Sequence, residues 1–239
     1  MRRHPGLGLV SALAVAAVAP APGAAQLVGS VATQSRLFFG KPLSVTQPRW
    51  HDLSVAAEAT YERRLGPVVL SAEGFWRLAE EGTERGHAEA REALLRIAGD
   101  DVAADLGIHT VFWGVTESRH LVDVVNQKDY LEDFDGEDKL GQLMALLTVD
   151  VGRRGFVELL AMTWFRPLRF PSGGGRPGAL VPVLDDRPVY EDDRERWSPD
   201  LAARWSHSIA AFDWALSYFH GTSREPQLIA AGAPGSSAL

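Results

Sequence analysis

The chain contains no cysteine and has less positive than negative charge. Its 239 residues include 24 Lys and Arg against 31 Asp and Glu, which gives a formal net charge of −7. The absence of cysteine excludes disulfides, thiolate catalysis, Cys-ligated zinc and a lipid-modified N-terminal cysteine. The acidic balance and the lack of a basic stripe argue against a nucleic-acid partner. Because hydrophobic residues make up 46% of the chain and charged residues 23%, the composition is that of a folded protein.

Long hydrophobic runs are also lacking, apart from one near the N-terminus, Leu7 to Ala19. This run follows the basic start MRRHPG and precedes PAPGAAQ, which is the pattern of a secretory signal peptide. It is shorter than the roughly 20 residues that a membrane-spanning helix needs. We therefore predict a signal peptide over residues 1–25, with cleavage after Ala25, and export of the mature chain by a bacterium.

Most of the mature chain alternates apolar and polar residues with a period of two, which indicates β-strands with one apolar and one polar side. In VVLSAEGFWRLA, Leu70 and Trp76 fall on one side, whereas Glu73 and Arg77 fall on the other. A further strand is predicted over DVAADLGIHTVFW, as far as Phe112. The segment TERGHAEAREALLRIAG has helix-forming residues, but we predict a strand because a helix would interrupt the series of hairpins.

The connections and strand lengths indicate the architecture. Short turns are predicted at Gly66-Pro67, at 152–155 and near Ala210, whereas 114–141 and 167–199 are long connections. Such asymmetry, with aromatic residues near strand ends, is typical of outer-membrane barrels. The nine or ten strands of about 9–13 residues match the ~9–11 residues of a tilted membrane-spanning strand. The predicted fold is all-β, an antiparallel up-and-down transmembrane β-barrel.

The two sides of the predicted strands have different expected surroundings. The side chains expected to contact lipid are Val55, Leu70, Trp76, Ile108, Trp214 and Leu216. The side chains expected to face inward are Glu58, Glu62, Glu73, Arg77, Asp105 and His109. Alternation alone leaves open the reverse orientation, in a soluble periplasmic β-barrel that binds a ligand with its apolar side inward.

The segment from Phe112 to Gln142 is the most distinctive part of the sequence, because it begins with aromatic residues and ends in a run of acids. If Gly136 were the turn glycine of an EF-hand, Leu131 and Gln142 would occupy the first and last ligand positions, so this calcium loop is excluded. We therefore expect the acidic run to be a solvated loop, and we predict neither a metal site nor a cofactor.

Acid–base chemistry is an alternative for the same segment, since Glu117, His120 and Asp123 lie close together in sequence. Neither Gly-x-Ser-x-Gly nor His-Glu-x-x-His occurs, so we do not predict an enzyme. We expect instead that the segment folds into, or lines, a pore whose charges select solutes. The candidate pore and loop residues are Glu73, Arg77, Asp105, His109, Glu117, Arg119, His120, Asp123 and Asp129.

Three stretches carry a resemblance to a known family: VFWGVTESRHLVDVVNQKDYLEDFDGEDKLGQ, the charged loop from Tyr190 to Trp197, and WALSYFHGTSREP. They resemble a group of proteobacterial outer-membrane proteins that look like porin-type β-barrels and are distantly similar to alginate-export and phosphate-selective porins. The resemblance covers most of residues 28–226. It implies an outer-membrane location, membrane lipid and the barrel-assembly machinery as partners, and passive passage or binding of a small solute without a cofactor.

The C-terminal stretch QLIAAGAPGSSAL departs from that group, because such barrels usually end in a strand with a terminal aromatic residue. We therefore expect residues 26–226 to form the N-terminal part of a larger barrel, and residues 227–239 to be a disordered or aberrant tail. A barrel with these strands alone has an open edge, whose backbone groups lipid cannot satisfy.

Overall fold

The fold is known from a computed structural model of the chain. The residues that it describes are 7–8, 25–42, 45, 47–48, 50–80, 85–113, 123–132, 138–170, 175–176, 183, 188–190, 192–210, 212–225 and 227–229. Among these residues, no helix is long and apolar enough to cross a membrane. The predicted signal peptide and C-terminal tail lie mostly outside the described residues and stay predictions.

In the described part of the chain, ten antiparallel strands form a single sheet, in which each strand pairs with its neighbours in the chain. They are β1 (Leu7–Gly8), β2 (Gln26–Phe38), β3 (His51–Leu65), β4 (Val68–Ala79), β5 (His87–Ala98), β6 (Val102–His109), β7 (Gln142–Asp150), β8 (Phe156–Trp164), β9 (Asp200–Ile209) and β10 (Phe212–His220). Because β1 pairs only with Leu37 and Phe38, the sheet consists mainly of nine long strands. The prediction of an all-β, antiparallel, up-and-down arrangement is confirmed, β5 included, although the sheet is not closed into a barrel.

The connections differ between the two ends of the sheet, as predicted. At one end, named the turn edge, short connections join consecutive strands at 66–67, 99–101, 151–155 and 210–211. At the other end, named the loop edge, the connections are 39–50, 80–86, 110–141 and 165–199. At the turn edge, Gly66 and Gly152 adopt φ angles of 60° and 61°, which glycine accepts without steric cost.

The two faces of the sheet have opposite chemistry. On one face, named the apolar face, large hydrophobic side chains are exposed, including Trp76 at 48% and Leu106 at 46%. On the other, named the polar face, charged side chains are buried, including Asp52 at 1% exposure and Asp105 at 2%. In the nine long strands, all of whose residues are described, Arg63 at the turn edge is the one Asp, Glu, Lys or Arg on the apolar face.

Strand register confirms which predicted side chains share a face. The six residues predicted to contact lipid lie on the apolar face with Trp76, and the six predicted to face inward lie on the polar face with Asp52. Contact with lipid itself stays a prediction at this point.

The end of β6 was placed too late by the alternation pattern. The pattern predicts a strand as far as Phe112, whereas β6 ends at His109. There the side-chain oxygen of Asn126 accepts a hydrogen bond from the Val111 amide at 2.8 Å, and its nitrogen donates to the carbonyl oxygens of His109 and Leu140, both at 3.0 Å. A loop side chain thus replaces the neighbouring strand as the hydrogen-bond partner.

The described part of the 110–141 connection packs against the polar face near the loop edge. Val111, Trp113 and Val125 are almost completely buried. They form a hydrophobic cluster with side chains of β7, β8 and β9, namely Met144, Leu146, Leu160, Met162 and Ala202. The described residues of this connection therefore lie on the polar face at the loop edge, and those at 123–132 bring charged side chains onto the sheet.

Candidate functional site

Charged side chains gather on the polar face at the loop edge, in what is called here the mouth cluster. It consists of Arg36, Asp52, Arg77, Arg85, His87, Glu89, Asp129, Glu132 and Arg166. Four neighbouring strands, β2 to β5, position most of these residues, and the segment 123–132 supplies Asp129 and Glu132. Since charged side chains are rarely buried unless they are paired, the partners of each residue determine whether the cluster is stable.

Arg77 on β4 and Glu132 of the loop form a bidentate ion pair, in which both side chains are nearly buried. Arg77 Nε donates to Glu132 Oε1 at 2.6 Å, and Arg77 Nη2 donates to Glu132 Oε2. Arg77 Nη1 also donates to the Ser54 hydroxyl at 2.8 Å and to Gln34 Oε1 at 3.3 Å, and Arg36 Nη2 donates to the Glu132 carbonyl at 2.9 Å. These charge-assisted bonds attach the loop to β2 and β4, and Arg77 also links β4 to β2 and β3.

Arg85, which precedes β5, forms a second buried ion pair with Asp52 on β3. Its Nη1 donates to Asp52 Oδ2 at 3.2 Å, and its Nη2 donates to Gln34 Oε1 at 2.9 Å. Burial and the neighbouring Arg77 lower the pKa of the Arg85 guanidinium. The Asp52 carboxylate opposes both effects on Arg85 through its charge and its hydrogen bond.

His87, at the start of β5, directs its imidazole ring at the loop. Its Nδ1 lies 2.8 Å from the carbonyl oxygen of Arg85 and therefore carries a proton. Its Nε2 lies 3.5 Å from Glu132 Oε1 and 4.0 Å from Asp129 Oδ2. The side chain is 2% exposed and its ring centroid lies 5.4 Å from that of Phe75. The buried Nε2 thus faces two carboxylates of the loop.

Asp129 is held in crowded, largely buried surroundings. Burial, the largest cause, and the carboxylates of Glu89 and Glu132 raise the pKa of Asp129, whereas His87 acts in the opposite direction. Glu89 is itself compensated by Arg166, whose Nη2 donates to Glu89 Oε2 at 2.7 Å. Among the described residues, no ion pair joins Asp129 to an arginine, and its protonated form is therefore favoured.

A second set of polar side chains, the middle cluster, lies on the same face nearer the turn edge. It consists of Glu58, Ser71, Glu73, Arg91, Glu92, Arg96, Asp105 and His109. Arg91 is the extra residue of a β-bulge in β5, and its Nη1 lies 2.9 Å from Glu58 Oε2 and 4.0 Å from Glu73 Oε1. Its guanidinium carbon lies 4.0 Å from the centroid of the Phe75 ring.

The other members of the middle cluster are also paired. Arg96 and Asp105 form a bidentate pair with both distances at 2.6 Å. His109 Nδ1 lies 3.4 Å from Glu92 Oε2, and the Ser71 hydroxyl donates to Glu92 Oε1. The polar face therefore carries charges of both signs along the strands, from the loop edge towards the turn edge.

Further ion pairs anchor the segment 123–132 at its other end. Lys139 Nζ lies 2.9 Å from Asp123 Oδ2. Arg224, which follows β10, donates to the carbonyl oxygen of Val125 and to Asp200 Oδ2, both at 2.8 Å. Burial lowers the pKa of Arg224, and Asp200 opposes this effect. The segment is thus attached to both halves of the sheet.

Six of the nine predicted site residues lie in the described part of the chain. Arg77 and Asp129 belong to the mouth cluster, whereas Glu73, Asp105 and His109 belong to the middle cluster. Asp123 pairs with Lys139, which belongs to neither cluster. Glu117, Arg119 and His120 lie outside the described residues, as does most of the proposed acid–base group.

Several members of the mouth cluster were missed by sequence reasoning. Glu132 belongs to the acidic run that we expect to be solvated, but Glu132 and Asp129 are 8% and 6% exposed, so the expectation is wrong for both. Arg85 and His87 belong to no sequence motif, and no local signal identifies them as neighbours of Asp52 and Glu132. Among the described residues, no group of three His, Asp or Glu is arranged to hold a metal ion.

No protein-family model matches the chain, and neither the curated proteins nor the solved structures provide a match. Inference about function therefore depends on the chemistry of the two faces and of the two polar clusters.

Proposed function

We propose that this chain is a porin-like β-barrel protein of the bacterial outer membrane. Its apolar face contacts lipid, and its polar face serves the passive passage or binding of a small solute. The observation that carries the proposal is the inverted distribution of side chains, with exposed hydrophobic residues on one face and buried charged residues on the other. This distribution is unfavourable for a strand sheet in water and is the one that a membrane barrel requires.

The dimensions of the sheet support the same proposal. The long strands contain from 8 residues in β6 to 15 in β3, which brackets the ~9–11 residues of a tilted membrane-spanning strand. Aromatic side chains on the apolar face lie near the turn edge, where the ring centroids of Trp205 and Trp214 are 4.7 Å apart. Trp76 is exposed on the same face closer to the loop edge. Two levels of aromatic residues are typical of the two membrane interfaces.

The polar face supplies the features that a solute pathway needs. The charged groups of the middle cluster have both signs, and some of them are only partly buried, such as Glu73 at 31% and Arg96 at 45% side-chain exposure. Fixed charges of both signs order water and discriminate between solutes. The resemblance to porin-type outer-membrane proteins implies the same location and activity.

The experiment that tests the location compares two arginine substitutions after expression in a Gram-negative host. Leu106→Arg introduces a charge at the middle of β6 on the apolar face, at a cost of ~2–4 kcal/mol near the bilayer midplane. Thr60→Arg introduces the same charge on the polar face, opposite Glu73 in the register. We expect the parent chain and Thr60→Arg in the outer-membrane fraction, with a gel mobility that changes on boiling, and Leu106→Arg to be absent from it.

Each alternative result has a defined meaning. A parent chain that is soluble in the periplasm, with equal tolerance of both substitutions, contradicts the proposal and favours a soluble ligand-binding β-protein. For protein recovered from the outer membrane, conductance in planar bilayers then separates passage of solute from binding, because a binding protein produces no channel current.

A further inference from the structure

The two polar clusters differ in their balance of charge. The mouth cluster contains four arginines and four carboxylates, so its formal charges cancel when its histidine is neutral. The middle cluster contains two arginines against four carboxylates, those of Glu58, Glu73, Glu92 and Asp105. The polar face therefore carries uncompensated negative charge in the middle cluster and a balanced set of charges at the loop edge.

The same excess of negative charge is found along the whole polar face. In the nine long strands, this face carries eleven Asp and Glu side chains against six Arg, and these strands contain no Lys. A solute that moves along the polar face therefore meets a wall of net negative charge. The field of such a wall attracts cations and repels anions.

Two carboxylates of the middle cluster lie directly opposite each other on neighbouring strands. Glu73 of β4 and Glu92 of β5 are partners in the strand register. Like charges in this position are destabilising, because the Cβ atoms of such partners lie only about 4.5–5.5 Å apart. Glu58 of β3 is a diagonal neighbour, since it lies two residues before Thr60, the register partner of Glu73. Three carboxylates thus lie close together, and their mutual repulsion favours the approach of a cation.

A single arginine lies among these three carboxylates. The bulge in β5 adds Arg91 as an extra residue and directs its side chain to the polar face. Arg91 Nη1 lies 2.9 Å from Glu58 Oε2 but 4.0 Å from Glu73 Oε1, so its charge acts mainly on Glu58. One positive charge does not balance three negative charges. The Glu58 and Glu73 side chains are 37% and 31% exposed, so both are accessible to a solute.

The second arginine of the middle cluster does not compensate Glu92. Arg96 is bound through two of its nitrogens to Asp105. Among the described residues, no Lys or Arg forms an ion pair with Glu92, whose carboxylate accepts a hydrogen bond from the Ser71 hydroxyl and lies 3.4 Å from His109 Nδ1. Since the Glu92 side chain is 27% exposed, its charge also acts on a solute at the polar face.

We propose that the polar face favours small cationic solutes over anionic ones, with Glu73 and Glu92 as the residues that determine this preference. The inference rests on the proposed function, because it assigns a charge to the solute that the polar face serves. A cation close to the three carboxylates reduces their mutual repulsion, whereas an anion adds a further repulsive charge. The balanced mouth cluster favours neither sign, so the middle cluster sets the preference.

Ion selectivity in planar bilayers tests the inference, with the purified full chain in a gradient of potassium chloride. The potential at which no current flows gives the permeability ratio of K⁺ to Cl⁻. We expect a ratio on the order of five for the parent, which corresponds to the attraction of one unit charge at about 4 Å in water. Glu73→Gln combined with Glu92→Gln should remove most of this preference. The matched control, Asp100→Asn combined with Asp101→Asn, removes the same charge from the exposed turn between β5 and β6 and should retain the ratio of the parent.

A ratio of one or below in the parent overturns the inference, and so does a double glutamine variant that keeps the preference of the parent. If the double glutamine variant does not assemble, Thr60→Arg decides, because it places a positive charge opposite Glu73 and an unchanged ratio in it also overturns the inference. A parent chain that carries no current contradicts solute passage and the inference together. A current carried mainly by chloride overturns the inference alone, so the two failures are distinguishable.

Discussion

Replacing Glu132 by glutamine tests whether the Arg77–Glu132 pair holds the loop on the sheet. The substitution leaves Arg77 buried with its charge uncompensated, and removal of one partner from a buried pair costs about 3–5 kcal/mol. Arg77 keeps the Ser54 and Gln34 oxygens as acceptors, and the glutamine keeps one side-chain oxygen. We therefore expect a loss near the lower limit, ~3 kcal/mol.

Chemical unfolding of the purified protein measures this loss, followed by the circular dichroism of the sheet. Glu62→Gln is the matched control, since Glu62 lies 3.9 Å from Arg64 and the two side chains are 49% and 70% exposed. An exposed pair of this kind contributes about 0–1 kcal/mol. A loss for Glu132→Gln no larger than that of the control would refute the argument that the buried pair attaches the loop.

The double variant Arg77→Met with Glu132→Leu separates the loss of an interaction from the presence of an unpaired charge. Both charges are removed together, so no buried charge is left without its counter-charge, and the Ser54 hydroxyl loses only a neutral acceptor role. We expect this variant to recover most of the stability that Glu132→Gln loses, because apolar residues of similar volume often replace buried ion pairs without loss. A double variant as unstable as the single one would show that the charges themselves are required.

Three further predictions use the same unfolding measurement. The pKa of Asp129 in the folded protein is raised above the ordinary value of aspartate, so the contribution of Asp129 to stability falls as the pH rises between these two values. The free energy of unfolding of Asp129→Asn should therefore increase relative to that of the parent across that range, and a pH-independent difference contradicts this. Gly107→Ala should lower the free energy of unfolding by ~1–3 kcal/mol, because Gly107 has a φ of 131° and a Cβ there clashes with the Ala93 carbonyl. Gly99→Ala is the control and should be nearly neutral, because a Cβ at Gly99 makes only ordinary van der Waals contact. Arg224→Met should cost ~3 kcal/mol by leaving the carboxylate of Asp200 buried without its cation, and a loss below 1 kcal/mol contradicts this reading.

Local alternation was sufficient to predict the sheet and its two faces. The side chain of each residue in a strand points away from that of its neighbour, so Leu70, Trp76, Glu73 and Arg77 were assigned to the correct faces without knowledge of the fold. The β5 segment was harder, because its alanines and glutamates favour helix. Pairing with β4 and β6 determines its conformation, which is a tertiary effect on a weak local preference.

The mouth cluster could be predicted only in part. Arg77 was identified because it lies on the polar side of an obvious strand, but its partner Glu132 is 55 positions away in an irregular loop. No local pattern encodes which loop residue returns to the sheet. The same reason explains the end of β6, where Asn126 from that loop replaces a strand partner. Burial of a loop charge is a property of the folded chain, and composition alone suggested solvation.

The number of long strands has a consequence for how the sheet can be completed. In an antiparallel series from β2 to β10, the first and ninth long strands run in the same direction. If these two strands paired directly, their hydrogen bonds would follow the slanted, evenly spaced parallel pattern. A ring that is antiparallel at every junction instead requires an odd number of additional strands between them. Whether the total number of strands is odd or even therefore distinguishes the two modes of closure. A parallel or an antiparallel hydrogen-bond pattern at β2 and β10 would reveal which one occurs.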